Sequence, residues 1–218
     1  LGARVDDRIG VTGNIIITPP DRAGLAAAGI TGADSFERIR FFGNFFDTRT
    51  KGVDLVTSYT FRLPQGAKLG VSASANYTDT EVTKIRDARA IDRERRTELE
   101  DFAPEMRGVL ALDYSRGAFS ALARANYYSE WTDAILIGAN PTDTSLDQTF
   151  AAEWLLDLEV SYAFTDAFSF TLGGQNVFDT FPDKDRRAAQ QNIGVVYGQF
   201  SPIGYNGGFW YARAALKF

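Results

Sequence analysis

Acid–base chemistry in this chain would have to come from carboxylates, because the 218-residue sequence contains no His and no Cys. Their absence excludes Ser–His and Cys–His nucleophile pairs, thiolate chemistry, disulfides and zinc sites built on those ligands. A carboxylate pair such as Asp157 and Glu159 could still act as general acid and base. Because the usual catalytic base is missing, we predict that the chain is not an enzyme.

Binding of ions, phosphates or nucleic acid is also weakly indicated. The charged run 84–101 has signs that nearly cancel, which favours a solvated loop with a helical turn over a phosphate site. Asp183 and Asp185 could contribute to a loop cation site, although a plain surface loop is the favoured interpretation. Gly173 and Gly174 lack phosphate-binding spacing. With a net charge of −5, the sequence predicts no metal, no cofactor and no nucleic-acid partner.

The elements that would position such residues are eight runs with apolar side chains at every second position. This period is typical of strands with one apolar and one polar face. All but the seventh run span the roughly 9–11 residues that a tilted strand needs to cross a bilayer, whereas no stretch approaches the roughly 18 apolar residues of a transmembrane helix. The runs cover residues 9–17, 53–61, 69–77, 106–114, 119–127, 154–164, 168–172 and 210–218.

The connections between the runs alternate between short and long. The short ones cover residues 63–67, 115–117 and 165–166, and the long ones cover 18–36, 78–105, 129–152 and 176–208. Short turns at one rim and long loops at the other are typical of outer-membrane barrels. We therefore predict an all-β fold, an antiparallel up-and-down transmembrane β-barrel of about eight strands in the outer membrane.

The two faces of the runs differ as lipid-facing and lumen-facing surfaces should. Aromatic side chains lie at both ends of the apolar face, with mainly Ala, Leu and Val between, which indicates two aromatic girdles. A soluble barrel or sandwich would use this face as its core, but its many central alanines would fill a core poorly. Arg on the lipid face costs roughly 2–4 kcal/mol at the midplane, so charges should point inward. The predicted lumen-facing residues are Arg107, Arg124, Asp157, Glu159 and Arg213.

Three stretches of the sequence resemble one known family. Residues 40–54, Arg-Phe-Phe-Gly-Asn-Phe-Phe-Asp-Thr-Arg-Thr-Lys-Gly-Val-Asp, resemble the long descending strand of TonB-dependent outer-membrane receptors. Residues 173–179, Gly-Gly-Gln-Asn-Val-Phe-Asp, resemble their penultimate strand, with a bulge expected at Gly173 and Gly174 and a turn at Asn176 and Asp179. The tail, residues 201–218, is similar to their closing strand with its terminal aromatic residue.

The resemblance implies energised, TonB-dependent uptake of a scarce ligand by a Gram-negative bacterium, most often a ferric siderophore. Such receptors have a 22-stranded barrel closed by an N-terminal plug, so residues 1–218 would be a C-terminal barrel segment without the plug. We expect this segment to be an open, curved sheet if isolated and to be incapable of transport alone. Its implied partners are outer-membrane lipid, the TonB system through the missing plug, and the barrel-assembly machinery. The assembly machinery would engage the C-terminal strand through Trp210, Leu216 and Phe218.

Five aromatic residues in the long loops could line a ligand-binding vestibule, although girdle or loop packing would explain them as well. They are Trp131, Phe150, Tyr197, Phe200 and Tyr205.

Two alternatives to the receptor segment stay open at this point. The chain could be a complete eight-stranded outer-membrane barrel with a structural or adhesive role, since eight strands can close around a side-chain-filled interior. That alternative predicts pairing of the first strand with the last, which would bury Arg8, Arg124, Asp157 and Arg213 together. The other alternative is an outer-membrane enzyme, for instance a hydrolase that uses paired carboxylates.

Overall fold

The computed structural model describes residues 15–16, 19–35, 38–39, 45–86, 91–135 and 142–218. The strands are β1 (Ile15–Ile16), β2 (Arg38–Ile39), β3 (Phe46–Arg62), β4 (Lys68–Ile85), β5 (Met106–Arg116), β6 (Phe119–Tyr128), β7 (Trp131–Asp133), β8 (Gln148–Phe150), β9 (Glu153–Ala163), β10 (Phe168–Gln175) and β11 (Phe209–Leu216). The α-helices are Pro19–Ala27, Arg93–Glu100 and Ala188–Asn192, and short 3₁₀ turns cover Ala33–Ser35 and Pro64–Gly66. None of the helices among these residues is long and apolar enough to span a membrane.

Seven strands form one antiparallel sheet in the order β11–β10–β9–β6–β5–β4–β3. The order is linear, so the sheet is open and β3 and β11 are its edges within the described part of the chain. The fold is therefore mostly antiparallel β, as predicted. Two short pairs, β1 with β2 and β7 with β8, lie outside this sheet.

The seven predicted runs from 53–61 onward each correspond to a strand of the main sheet. The first run, 9–17, lies outside the described residues except for Ile15 and Ile16, as does Arg8. The strands β3 and β4, at 17 and 18 residues, extend well beyond their runs. The β7–β8 pair was not predicted, because three-residue strands are too short to show a period.

The first of two compact units combines Leu1–Thr50, Thr80–Glu100 and Ala134–Thr144. Its described core is small, with Phe46, Val82 and Ile91 buried together. The helix Arg93–Glu100 begins after Asp92, whose carboxylate accepts a hydrogen bond from the Arg95 N–H at 2.8 Å. This capping explains why the charged run forms a helix although its residues bury little apolar surface.

The second compact unit combines Lys51–Asp79, Asp101–Asp133 and Ser145–Phe218 and contains most of the main sheet. Its ladders match apolar positions with apolar positions: Leu112 pairs with Ala123, and Ala123 pairs with Leu158 on the next strand. The alternate positions include the charged residues of the strand interiors, and Arg124 pairs with Asp157. A slip of one residue would exchange these faces, so the alternating pattern fixes which face each strand presents.

Short turns join the hairpins of the sheet, as the run spacing predicted. Between β3 and β4 the chain reverses through Gln65 and Gly66, which both have left-handed φ angles, 60° and 74°. Between β5 and β6 the reversal uses Gly117 at φ 55°. Between β9 and β10, the Thr165 hydroxyl accepts hydrogen bonds from the N–H groups of Ala167 and Phe168.

The bulge predicted at Gly173 and Gly174 is wrong. Gly173 pairs in register with Tyr211 of β11 and Glu159 of β9, and Gly174 pairs with Trp210 and Leu158. The ladder continues through both glycines without an inserted residue. Their small size has another cause, which lies in the side chains of the neighbouring strand.

Candidate functional site

Two aromatic rings form the centre of a packed group of loops. Trp131 and Phe150 are register partners in the β7–β8 pair, and their rings stack with centroids 4.3 Å apart. Their residues are only 4% and 1% exposed. Gly198 closes over the stack, because a Cβ there would lie 2.7 Å from the Phe150 ring. The long connection after β10 is therefore packed onto the β7–β8 pair at a position that only glycine can occupy.

A buried ion cluster holds the same two segments together. The Arg187 guanidinium donates to Asp133 Oδ2 at 2.8 Å and also to both carboxylate oxygens of Asp185. All three residues are buried. The hydrogen bonds from Arg187 hold the pKa of Asp185 below its usual value, and those to Asp185 and Asp133 raise the pKa of Arg187. Asp185 and Arg187 therefore stay charged at neutral pH and bind each other.

Gln148 completes the connection through both ends of its amide. Its Nε2 donates to the Lys184 carbonyl at 2.8 Å, and its Oε1 accepts from the Arg186 N–H at 2.8 Å. A single side chain thus satisfies a donor and an acceptor of the facing backbone, as a strand would. We call this packed region, residues 102, 131–133, 148–150 and 181–205, the loop cluster.

Neither carboxylate of the suggested loop cation site is free to bind a cation. Asp185 is ion-paired with Arg187, and Asp183 Oδ2 accepts a hydrogen bond from the Ala151 N–H at 2.9 Å. Within the described ranges, no group of three or more metal-ligating side chains is placed to hold a metal ion. The arrangement favours the structural interpretation of both residues.

The structure brings the five candidate vestibule residues into the loop cluster but separates them by exposure. Trp131 and Phe150 are buried, whereas Phe200 is 59% exposed and Tyr205 is also exposed. Tyr197 is half-buried and stacks with Tyr205 at 6.1 Å between ring centroids. Whether any of the five contacts a ligand stays a prediction, and the last three present the ring surface that such a contact needs.

Sequence reasoning missed two rings that belong to this group. Phe102 lies edge-on to both Trp131 and Phe200, with centroids 5.7 and 4.7 Å apart. Phe181 stacks on Tyr197 at 5.7 Å. Both residues stand in predicted long loops, where an isolated aromatic gives no periodic signal, so only their spatial neighbours reveal them.

The five predicted lumen-facing residues share one face of the main sheet. Arg124 and Asp157 are register partners, and Asn126 on the same face donates to Asp157 at 3.1 Å. The Tyr211 hydroxyl donates to Glu159 at 2.6 Å, and Arg213 lies 3.6 Å from the same carboxylate. That this face lines a lumen stays a prediction; between its charged residues it also carries apolar side chains such as Leu122 and Leu155.

Arg107 lies farther along the same polar face, opposite Asn76 and Tyr128. It lines an open hollow of about 370 Å³ together with Asp54, whose carboxylate accepts a hydrogen bond from the Asn76 amide at 2.7 Å. The hollow carries both charges and aromatic hydroxyls. Apolar side chains such as Leu55, Val56 and Val109 line more of it than polar ones do, and it lacks the acid–base geometry of an active site.

The Asn-Val-Phe-Asp segment forms a closed turn where β10 ends. The Asn176 side chain donates to the Thr180 carbonyl and accepts from the Thr180 N–H, at 2.8 and 3.0 Å. Asp179 accepts from the Gly208 N–H at 2.7 Å, and Asp157 accepts from the Asn176 N–H at 2.9 Å. Asp157 is thus a structural acceptor, and its neighbour Glu159 is bound by Tyr211. This pair gives no support to the hydrolase alternative.

The residues of the predicted assembly signal are all exposed on the closing strand. Trp210 pairs with Gly174 and Leu216 pairs with Phe168 of β10, while Phe218 ends the chain beyond the sheet. The side chains of Trp210 and Leu216 belong to the apolar face of the sheet. Engagement of an assembly factor stays a prediction.

Comparison with known proteins identifies a family over most of the sheet and part of the loop cluster. A family model described as "TonB dependent receptor-like, beta-barrel" matches residues 4–177, which takes in β1 to β10. No curated protein sequence matches the chain. The match covers about four fifths of the sequence and includes all of residues 40–54 and residues 173–177 of the second stretch that carried the resemblance.

Proposed function

Because the chain belongs to the TonB-dependent receptor β-barrel family, we propose that it is part of a receptor that imports a scarce ligand with energy supplied through the TonB system. The family is one of outer-membrane receptors and transporters of Gram-negative bacteria rather than of enzymes. The family match carries the proposal, and the open sheet with one apolar and one polar face is consistent with it.

The proposed surroundings of the apolar face are outer-membrane lipid. Large apolar side chains stand exposed along this face, including Trp154, Tyr162 and Leu172. Exposed apolar area is unfavourable in water at about 25 cal/mol per Å², so a face this wide requires a cover. The aromatic residues at its ends suit the two lipid–water interfaces, and the small residues between them suit the hydrocarbon.

We propose that the sheet is the C-terminal portion of a larger barrel with about 22 strands, whose plug engages TonB. The linear strand order supports this, since β3 and β11 are edges and barrels leave none. The complete eight-stranded barrel is not favoured, because Arg213 is 62% exposed on its side chain rather than enclosed in a narrow core. The proposed barrel-assembly contact is the apolar face of β11, with Trp210, Leu216 and Phe218.

Intact mass spectrometry of the protein from outer membranes tests the segment proposal. We expect a mass about three times the 24.0 kDa of these residues, since 22 strands need nearly three times the length of eight. A mass near 24.0 kDa would overturn the larger barrel and make the small structural or adhesive barrel the better description.

The proposed ligand is a ferric siderophore, contacted by the exposed rings of the loop cluster. Tyr197, Phe200 and Tyr205 offer ring surface, and the two tyrosines add hydroxyl groups on either side of Phe200 along the chain. Phe200 contacts Phe102, which contacts the Trp131 ring that is stacked on Phe150. Stacking on such rings suits ligands with planar or aromatic parts. The ion pairs of Arg187 with Asp133 and Asp185 connect the two segments of the cluster that carry these rings.

Uptake of radioactive iron tests the ligand proposal. Iron-limited cells carrying the full-length receptor would be given ferric catecholate and ferric hydroxamate siderophores, with and without a protonophore. We expect protonophore-sensitive uptake of one class, and a rise of about tenfold in the half-saturating concentration for Phe200→Ala. Phe178→Ala removes another exposed ring of the same connection, 75% exposed against 59% for Phe200, and should leave uptake unchanged. Receptor-dependent growth without any iron uptake would overturn the siderophore and leave the receptor proposal intact.

A further inference from the structure

Two adjacent glycines of β10 are each covered by an aromatic ring of β11, one on each face of the sheet. Gly173 pairs with Tyr211 on the polar face, and Gly174 pairs with Trp210 on the apolar face. A Cβ on Gly173 would fall 2.8 Å from Tyr211 Cε1, and one on Gly174 would fall 2.8 Å from Trp210 Cε3. Real Cβ atoms do not approach ring carbons so closely, so any larger residue would displace the rings.

Backbone conformation does not account for these two glycines. Neither Gly173 nor Gly174 has a positive φ angle, and both keep the regular ladder of β10. Any residue could adopt this backbone. What requires glycine is the space taken by the ring that lies across each position.

The Tyr211 ring reaches across three strands. Its hydroxyl donates to Glu159 Oε2 on β9 at 2.6 Å, and Glu159 is the register partner of Gly173 on that side. The ring therefore runs from β11 over Gly173 of β10 to β9. This path exists only when Tyr211 stands opposite Gly173.

A slip of two residues between β10 and β11 is the error that the alternating pattern cannot prevent. A slip of one would turn Arg213 onto the apolar face, which the membrane opposes. A slip of two keeps every side chain on its own face, but it places Tyr211 opposite Thr171 or Gln175 instead of Gly173. Thr171 is buried and bonded to Ser161 at 2.9 Å, so its side chain occupies the space that the ring would need.

We propose that Gly173, Gly174, Trp210 and Tyr211 form a register lock, which selects the native pairing of the last two strands as the barrel inserts into the outer membrane. The proposal rests on the proposed outer-membrane barrel for where pairing occurs. Its function is assembly, distinct from ligand uptake. It also explains the glycine pair that the sequence suggested to be a bulge.

Disulfide trapping in outer membranes reads this register directly, because residues 1–218 contain no Cys. In the full-length protein, the pair Ser169→Cys and Ala215→Cys reports the native register, in which these residues are partners. The pair Ser169→Cys and Arg213→Cys reports the slip of two residues that places Tyr211 opposite Thr171. In an otherwise unchanged protein we expect the native cross-link only.

The lock predicts a specific pattern among five variants. Tyr211→Ala removes the ring without creating a clash, so the barrel should form with the slipped cross-link now visible. Gly173→Ala should lower the native cross-link about tenfold through overpacking, and adding Tyr211→Ala should restore much of it. Tyr211→Phe keeps the ring and should keep the native register. Gly108→Ala is the matched control, since its Cβ would meet nothing closer than 3.7 Å, and it should change nothing.

Two results would overturn the register lock. One is an unchanged native cross-link, with no slipped product, in both Tyr211→Ala and Gly173→Ala. The other is a double variant in which the loss of native cross-link equals the sum of the losses in the two single variants. Gly173 would then not be needed to accommodate the Tyr211 ring. A protein without lock substitutions that shows the native cross-link but no uptake would count against the proposed function and leave the lock standing.

Discussion

The three tryptophans show how differently the main sheet and the loop cluster are built. Trp131 of the loop cluster is 4% exposed, whereas Trp154 and Trp210 of the sheet are 59% and 62% exposed. The loop cluster carries its own core of rings and ions, as a small domain in water must. The sheet turns its largest apolar residues outward and depends on its surroundings to cover them. One chain thus follows two opposite rules of burial, each suited to a different solvent.

The ion cluster offers the largest expected difference between these regions. Arg187→Leu would leave Asp133 and Asp185 buried without a partner, which should destabilise the loop cluster by about 3–5 kcal/mol. Hydrogen exchange should show lost protection in residues 183–200, with strands β5, β6, β9 and β10 unchanged. Arg186→Leu, at the exposed neighbouring position, should alter stability by no more than about 0.5 kcal/mol. Equal effects of the two variants would mean that the cluster does not depend on the buried charge.

Charge placement on the closing strand tests the rule for the sheet. Ala214→Arg puts a cation on the apolar face near the middle of β11, at a cost of roughly 2–4 kcal/mol if that face meets lipid. Arg213→Leu, one residue away on the polar face, should be tolerated much better. The assembled fraction in outer membranes, measured by heat-modifiable gel mobility, compares the two. Equal assembly of both variants would show that the two faces have been assigned the wrong way round.

Acid should loosen the loop cluster before it affects the sheet. The hydrogen bonds from Arg187 lower the pKa of Asp185 from its ordinary value of 3.8, so the cluster gains stability that is fully present above that pH. That stability is lost as the pH falls further, through the lowered pKa of the folded state. Proteolysis of residues 183–200 at decreasing pH should therefore rise below about pH 4. Asp185→Asn should remove most of this pH dependence, and an unchanged profile in that variant would contradict the assignment to Asp185.

The sequence made the sheet predictable and left the loop cluster largely hidden, for a physical reason. Leu112, Ala123 and Leu158 reveal their common face because a strand repeats every two residues and apolar residues recur at that period. Asp133 and Arg187 lie 54 residues apart and meet only through folding, so no local sequence pattern predicts their ion pair. The glycine pair was visible in the sequence, but its cause was the ring on the next strand.

Fluorescence quenching by lipids brominated along their acyl chains should separate the three tryptophans at the smallest structural cost. Variants that keep one Trp and replace the other two by Phe would be reconstituted in bilayers. Trp to Phe at an exposed interfacial position should cost under about 1 kcal/mol, since much of the apolar ring remains. We expect strong quenching of Trp154 and Trp210, which face outward from the sheet, and little quenching of Trp131, whose ring is stacked on Phe150. If Trp131 were quenched as strongly as Trp154, the loop cluster would be in contact with lipid, and its buried core would have to serve a membrane surface rather than an aqueous one.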